Sequence, residues 1–209
     1  MLDKLYAVYY IIISIQFMNV VQILRQGEML KLDLHTHCME ATGMVAYPSI
    51  DLVRKIVERV NNRGLDGIAI TEHDDRNYGY RVKKIVDENF ESRVLIIPGR
   101  EITVKEMGWA EMVELFLPNG SIFRFLPHPS YPYPGDDGFE YDMNLLQGIE
   151  IGNALHDRQI NKKKVKEISK KYNLVLLKNS DAHTLEEIGS FHNEISLEEL
   201  YSLTKDSLA

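Results

Sequence analysis

The sequence reads as an α/β protein built on parallel strands whose carboxyl ends carry the chemistry. Two observations lead there. Five short apolar runs each deliver a histidine, aspartate or glutamate within a few residues. They are 31–34 before His35-Thr36-His37, 67–71 before Glu72-His73-Asp74-Asp75, 94–99 before Arg100-Glu101, 122–126 before Pro127-His128-Pro129, and 174–177 before Asp181-Ala182-His183. The stretch from 31 to 71 also has the order strand, loop, helix, strand, the unit from which parallel sheets are assembled. In barrels of parallel strands the carboxyl ends meet on one face, where the connecting loops build the site.

The elements follow in order. In an extended chain residues i and i+2 point the same way, so His35 and His37 can aim two imidazoles at one point, as a metal requires. Taken alone, the pair fits an ordinary core or surface histidine equally well. Residues 38–48 read as a loop. Ser49 is a candidate N-cap for a helix with Ile50, Leu52, Val53, Ile56, Val57 and Val60 at helical spacing, ending near Asn62-Arg63-Gly64. A weaker helix over 79–90 precedes a strand over 94–98, which places Glu101 at that strand's mouth. Residues 103–109 read as irregular. A hairpin of 112–117 with 121–126 turns at Pro118-Asn119-Gly120 and interrupts the strand–helix rhythm.

The loop 128–137, with prolines at 129, 132 and 134, is rigid; it either lines a pocket or holds a surface turn. A short strand over 147–152 carries Glu150, and Asn153 follows it. In the helix over 161–172, Val165, Ile168 and Tyr172 form the buried stripe and the six lysines a solvated face. The strand 174–178 leads to Ser180-Asp181-Ala182-His183, and Ser196 caps a terminal helix over 197–203.

The 209 residues suffice for one domain with a real core, or a domain plus an appendage. With 44% apolar and 26% charged residues, bulk disorder is excluded. Twenty-four basic against 31 acidic residues give a net charge of −7, which disfavours loose binding to nucleic acid. An anionic substrate stays open, because bound divalent ions would invert the local potential. The single cysteine, Cys38, rules out an intramolecular disulfide and fits a reducing, cytoplasmic setting. It reads as a partly buried thiol rather than a ligand. Residues 5–24 carry no charge, so 1–28 read as an apolar leader: a membrane anchor or association helix, a non-native start upstream of Met29, or a packed element of the domain. The domain proper then spans 29–209.

The motifs Leu32-Asp33-Leu34-His35-Thr36-His37, Ile70-Thr71-Glu72-His73-Asp74, Pro98-Gly99-Arg100-Glu101, His128-Pro129 and Ser180-Asp181-Ala182-His183 resemble those of the PHP superfamily, the metal-dependent phosphoesterases named for polymerase and histidinol phosphatase. The resemblance implies a distorted seven-stranded (β/α) barrel, TIM-like, with two or three divalent ions (Zn, Mn or Fe) at the carboxyl face. It implies a first metal on His35, His37, Glu101 and Asp181, a second shared by Glu101 and His128, and a third on His73 and His183. Two positions depart from the pattern: Glu111 stands where relatives place a histidine, and Glu40 is the ligand candidate in the loop after the histidine pair. The expected activity is hydrolysis of a small phosphorylated molecule by a metal-bound hydroxide, with His183 or His73 serving the leaving oxygen and Arg100 contacting phosphate or forming a salt bridge. Alternatives are a catalytically weak metal-binding subunit and a nuclease. Oligomeric state is not legible.

Overall fold

A computed structural model describes residues 27–91, 94–130 and 132–205; all but the last two residues of the apolar leader lie outside the described residues. Eight strands form one mixed sheet: β1 (Leu30–Asp33), β2 (Gly67–Ile70), β3 (Leu95–Val104), β4 (Ala110–Phe116), β5 (Ile122–Leu126), β6 (Gly148–Asn153), β7 (Val175–Asn179) and β8 (Asn193–Ile195). Among the described residues five α-helices accompany them: α1 (Cys38–Ala41), α2 (Ile50–Asn62), α3 (Arg76–Asn89), α4 (Lys162–Tyr172) and α5 (Leu197–Lys205). The strand order is β7-β6-β5-β4-β3-β2-β1-β8. Pairing is parallel between β1 and β2, β2 and β3, β5 and β6, and β6 and β7, and antiparallel within β3-β4-β5 and between β1 and β8.

The sheet curls until its ends nearly meet. At the carboxyl rim the Asp181 N–H donates to the His35 carbonyl at 2.9 Å and the His37 N–H to the Ala182 carbonyl at 2.8 Å, so the chain leaving β7 pairs in parallel with the chain leaving β1. At the other end β8 fills the gap, and its Asn193 side chain acts like a peptide unit. The Lys178 N–H donates to Asn193 Oδ1 at 2.8 Å, while Asn193 Nδ2 donates to the Lys178 carbonyl, to Asn179 Oδ1 and to the Leu32 carbonyl. The expected seven-stranded (β/α) barrel is therefore corrected to an eight-stranded, nearly closed mixed sheet. Its eighth strand has three residues, too few for alternation to register.

Local chemistry sets the helix ends. Ser49 Oγ accepts from the Leu52 N–H at 3.3 Å, and Gly64 takes φ +66° just past α2. Helix α3 begins three residues before the expected start because Asp75 caps it, accepting from the Asn77 N–H at 2.7 Å. Gly79 thus lies inside that helix; a Cβ there would sit 2.9 Å from Pro98 Cα, so its absence lets α3 rest on β3. Strand β3 runs on to Val104 through a stretch read as irregular, because its second half pairs with β4 from Gly99–Leu115 to Val104–Ala110. The segment 38–41, read as loop, is a single helical turn.

Three apolar clusters surround the sheet. Ile68, Ile70 and Ile96 face α2 and α3. Leu32, Ala69, Ile97, Val113, Phe123, Phe125 and Leu177 fill the interior, which α5 plugs with Leu197 and Leu200. Met107, Met112, Leu126 and Ile149 pack on α4 through Val165 and Ile168. Burial on both faces explains why the parallel strands read as continuous apolar runs. Cys38 is fully buried in the first cluster, and its burial pushes the thiol pKa up, as expected of a packed thiol. The lysines of α4 lie outward, two of them paired with Asp157 and Asp136. Among the described residues no helix is long and apolar enough to cross a membrane.

Replacing Asn193 by alanine removes the side-chain bonds that join β8 to β1 and β7. Chemical denaturation is expected to show a loss of about 2–3 kcal/mol, with Asn193→Asp, which keeps only the acceptor, falling between.

Candidate metal centre

Each chain segment leaving a strand at the carboxyl rim brings one part of the site. His35 and His37 follow β1, His73 follows β2, His128 follows β5, and Asp181 and His183 follow β7. Glu101 and Glu111 lie within the β3–β4 hairpin. Because β3 continues past the rim, Glu101 sits inside the strand, opposite Val113, rather than at its mouth.

Four donor atoms converge. His35 Nε2 and His37 Nε2 are 3.2 Å apart; Glu101 Oε2 lies 3.3 Å from the first and 3.2 Å from the second; Asp181 Oδ1 lies 3.4 and 3.2 Å from them. Four ligands held tetrahedrally at bonds of 2.0–2.1 Å stand about 3.3–3.4 Å from one another. The spacing therefore fits a divalent ion of zinc-like radius. Asp181 Oδ1 is buried without a hydrogen-bond partner, the state of an oxygen whose lone pair is kept for a cation.

The second oxygen of Glu101 turns the other way, 3.1 Å from His128 Nε2. Glu111 faces the same side, with Oε2 3.6 Å from His128 Nε2 and Oε1 3.9 Å from His73 Nδ1. A third group joins His37, Glu40, His73 and His183, with Glu40 Oε2 3.8 Å from His183 Nε2. The rings of His73 and His183 stack against that of His37 at 4.5 and 4.4 Å. All the residues expected from the sequence to be metal ligands thus meet in one hollow. Arg100 does not. It projects from the opposite side of β3 and pairs with Glu114 at 2.6 Å, beside Arg124 on the same carboxylate, which leaves the salt bridge and not the phosphate contact as its observed role.

A shell of buried polar groups aims the donors, and sequence reasoning assigned these groups no role. Glu150 Oε1 lies 3.1 Å from His35 Nδ1 and accepts from Asn179 Nδ2 at 2.8 Å; its Oε2 accepts from the His128 N–H and from Asn153 Nδ2. With the His35 Nδ1–H donated to Glu150, Nε2 presents a lone pair to the centre. His183 Nδ1 likewise donates to the Asp181 carbonyl at 2.9 Å, freeing Nε2 toward Glu40. Asp33, fully buried, accepts from Ser180 Oγ, from the Ser180 N–H and from the Gly189 N–H, and so pins the loop that carries Asp181. Burial pushes the Asp33 carboxyl up to about 6, against the pull of those donors. A sequence signal existed: Asp33 and Glu150 are carboxylates within apolar strands, an expensive placement without a task. His156, in the turn after β6, also reaches the site, with Nε2 3.7 Å from Asp181 Oδ2.

The backbone is strained where the site needs it. Asp181 (φ 55°), Asp74 (φ 55°) and His128 (φ 24°) occupy the left-handed region without being glycine.

The protein groups alone are strongly coupled. Burial acts against the charged forms of His35 and His37 but is outweighed by Glu101 and Asp181; His35 is raised well above the usual histidine range and His37 to about 9. Burial likewise opposes the Glu101 and Asp181 carboxylates, yet the imidazoles hold both below the usual range.

Residues 159–205, which include Asp181 and His183, match a family model described as PHP-associated. This match, in the part of the chain that carries Asp181 and His183, makes that part similar to the PHP family, and the ordered motifs at 32–37, 70–74, 98–101, 128 and 180–183 meet in space beside it. Solved structures with this fold include PsfC from Pseudomonas syringae (TM-score 0.55, 13% identity, 81% of this chain and 86% of that one). Another is a Bifidobacterium adolescentis protein proposed to be a metal-dependent phosphoesterase (0.59, 12%, 84% and 96%). A third is an amidohydrolase from Chromobacterium violaceum with bound sulfate and no metal (0.54, 11%, 82% and 96%). No curated protein matches the sequence.

Two outcomes test this centre. Glu150→Gln puts an amide among donors, and metal affinity, read by competition with a chelator, is expected to fall about 10- to 100-fold. In metal-free protein, His37 contributes stability that is fully present below pH 6.5 and lost as pH rises through about 9. Glu101 and Asp181, being depressed, contribute stability present above the ordinary carboxylate range and lost as pH falls below it. Denaturation of the metal-free protein should therefore show greatest stability near pH 5–6.5 and decline on both sides, and metal loading should flatten the alkaline decline.

Proposed function

We propose that the chain is a metal-dependent hydrolase that cleaves a phosphoester of a small molecule. The observation that carries this reading is the convergence of His35, His37, Glu101 and Asp181 at tetrahedral spacing, with the other oxygen of Glu101 turned to His128. His35, His37, Glu101 and Asp181 would hold a first ion. Glu101, His128 and Glu111 would hold a second, and His73, His183 and Glu40 a third. Mixed imidazole and carboxylate donors suit Zn, Mn or Fe rather than calcium. Bound divalent ions would supply charge neutralisation on phosphoryl oxygens and water of lowered pKa.

The chain's own residues do the rest. Glu101 spans two donor groups and so fixes their separation. His183, locked by the Asp181 carbonyl, keeps one ring nitrogen turned toward the hollow. His73, its side chain 47% exposed, stands at the open side where a leaving oxygen would depart. Without cations the carboxylates of this hollow would repel a phosphoryl dianion, which makes substrate binding depend on metal. The Bifidobacterium neighbour supports the phosphoester reading, and the Chromobacterium neighbour supplies the competing bond type, an amide.

The test is turnover by protein loaded with Mn, Zn or Fe on an aryl phosphate, a bis-aryl phosphodiester, an oligonucleotide and an amide. Turnover on the first or second is expected, with Asp181→Asn lowering kcat/KM at least about 100-fold together with metal content. Amide hydrolysis alone would overturn the substrate class, release of nucleotides would make the protein a nuclease, and full metal content without turnover would make it a binding subunit.

A further inference from the structure

We infer that His156 is a substrate-contacting residue that donates a hydrogen bond to a phosphoryl oxygen, so that the loop leaving β6 forms the protein side of a phosphate subsite. The inference rests on the proposed phosphoester reading and adds to it a recognition group outside the donor clusters. His156 Nε2 lies 3.7 Å from Asp181 Oδ2, and its ring lies 4.9 Å from that of His128, tilted by 57°. It therefore borders the centre on the side where Glu101 turns its second oxygen to His128. At 3.7 Å the contact with Asp181 is longer than a hydrogen bond, so it does not consume the Nε2–H. His156 is an imidazole at the edge of the hollow, not one of the converging ligands, and its side chain is 34% exposed, within reach of a bound molecule.

The loop is built to hold that position. Asn153 Oδ1 accepts from the N–H groups of both Leu155 and His156, at 3.1 and 2.9 Å, which fixes the backbone of the turn. The Nδ2 of the same asparagine donates to Glu150 at 2.9 Å and to Asp181 at 3.1 Å. One side chain thus registers His156 against the residue that aims His35 and against a converging donor, the rigid support a recognition contact needs. The charge pattern leaves a place for such a donor. Arg100 is turned away onto Glu114, and Lys162, the first residue of α4, is paired with Asp157 at 2.8 Å. A phosphoryl group has more oxygens than the ions would cover, and an imidazole N–H beside the second donor group can take one of the rest.

The experiment measures binding of inorganic phosphate to the metal-loaded protein by calorimetry, with metal content determined on the same samples. For His156→Ala, phosphate affinity is expected to fall about tenfold with metal content unchanged. In His156→Gln, whose side-chain amide can place an N–H near the same point, most of the affinity should return. Steady-state kinetics on an aryl phosphate should show the loss mainly as a higher KM. Unchanged phosphate affinity in His156→Ala overturns the inference, and so does loss of bound metal, which would make His156 a ligand. A parent protein that binds phosphate through His156 but hydrolyses no phosphoester would sink the proposed activity and leave this contact standing.

Discussion

Two carboxylates and two imidazoles aimed at a single point, each pair of measured neighbours 3.2 to 3.4 Å apart and nearly out of water, form an arrangement no chain adopts for packing. Removed from solvent, such groups either share protons or share a cation, and both options demand fixed geometry. Much of the polar structure of this protein answers that demand. The donors come from the ends of β1 and β7 and the interior of β3, far apart in sequence, and a sheet curled nearly onto itself brings them together.

The hydrogen bonds around the centre form a second, less visible framework. Glu150 receives hydrogen bonds from Asn153, Asn179 and the backbone of His128, and it orients the ring of His35. Asp33, the last residue of β1, ties that strand to the loop at Ser180 and Gly189. Asn179 Oδ1 accepts from the Leu34 N–H at 3.0 Å, which joins the strands on either side of the seam. These buried side chains bind no substrate in the proposed reading, yet each spans a gap that the backbone ladders leave unbridged.

Much of this was legible in the sequence, for a physical reason. A strand end that carries a ligand leaves two traces at once, an apolar run and an out-of-place polar residue, and five such coincidences located His35, His37, His73, Glu101, His128, Asp181 and His183. Glu40 and Glu111 were found only as departures from a family pattern, and both do face the hollow. What escaped depended on three-dimensional pairing. The reach of β3 is set by its partner rather than by its own composition. Strand β8 exists because its backbone pairs with β1 from Leu30–Ile195 to Leu32–Asn193. Arg100 shares its strand with Glu101 but alternation sends it to the other face, a point the sequence held in its period of two. No apolar run marks His156, because a turn organised by Asn153, not a strand end, carries it.

The seam between the first and last strands also governs when the centre can come into being. Asp33 and Gly189 are 156 positions apart along the chain, Leu34 and Asn179 are 145, and Asn193 and Leu32 are 161. Pairings of that span are slow to form, because the loop they close is nearly the whole domain. A chain emerging from the ribosome therefore displays His35 and His37 long before Asp181 exists to complete the set. Metal acquisition would in this sense be a terminal step of maturation, taken when the two ends of the fold meet, and an ion captured there would act as a clasp on the nearly closed sheet.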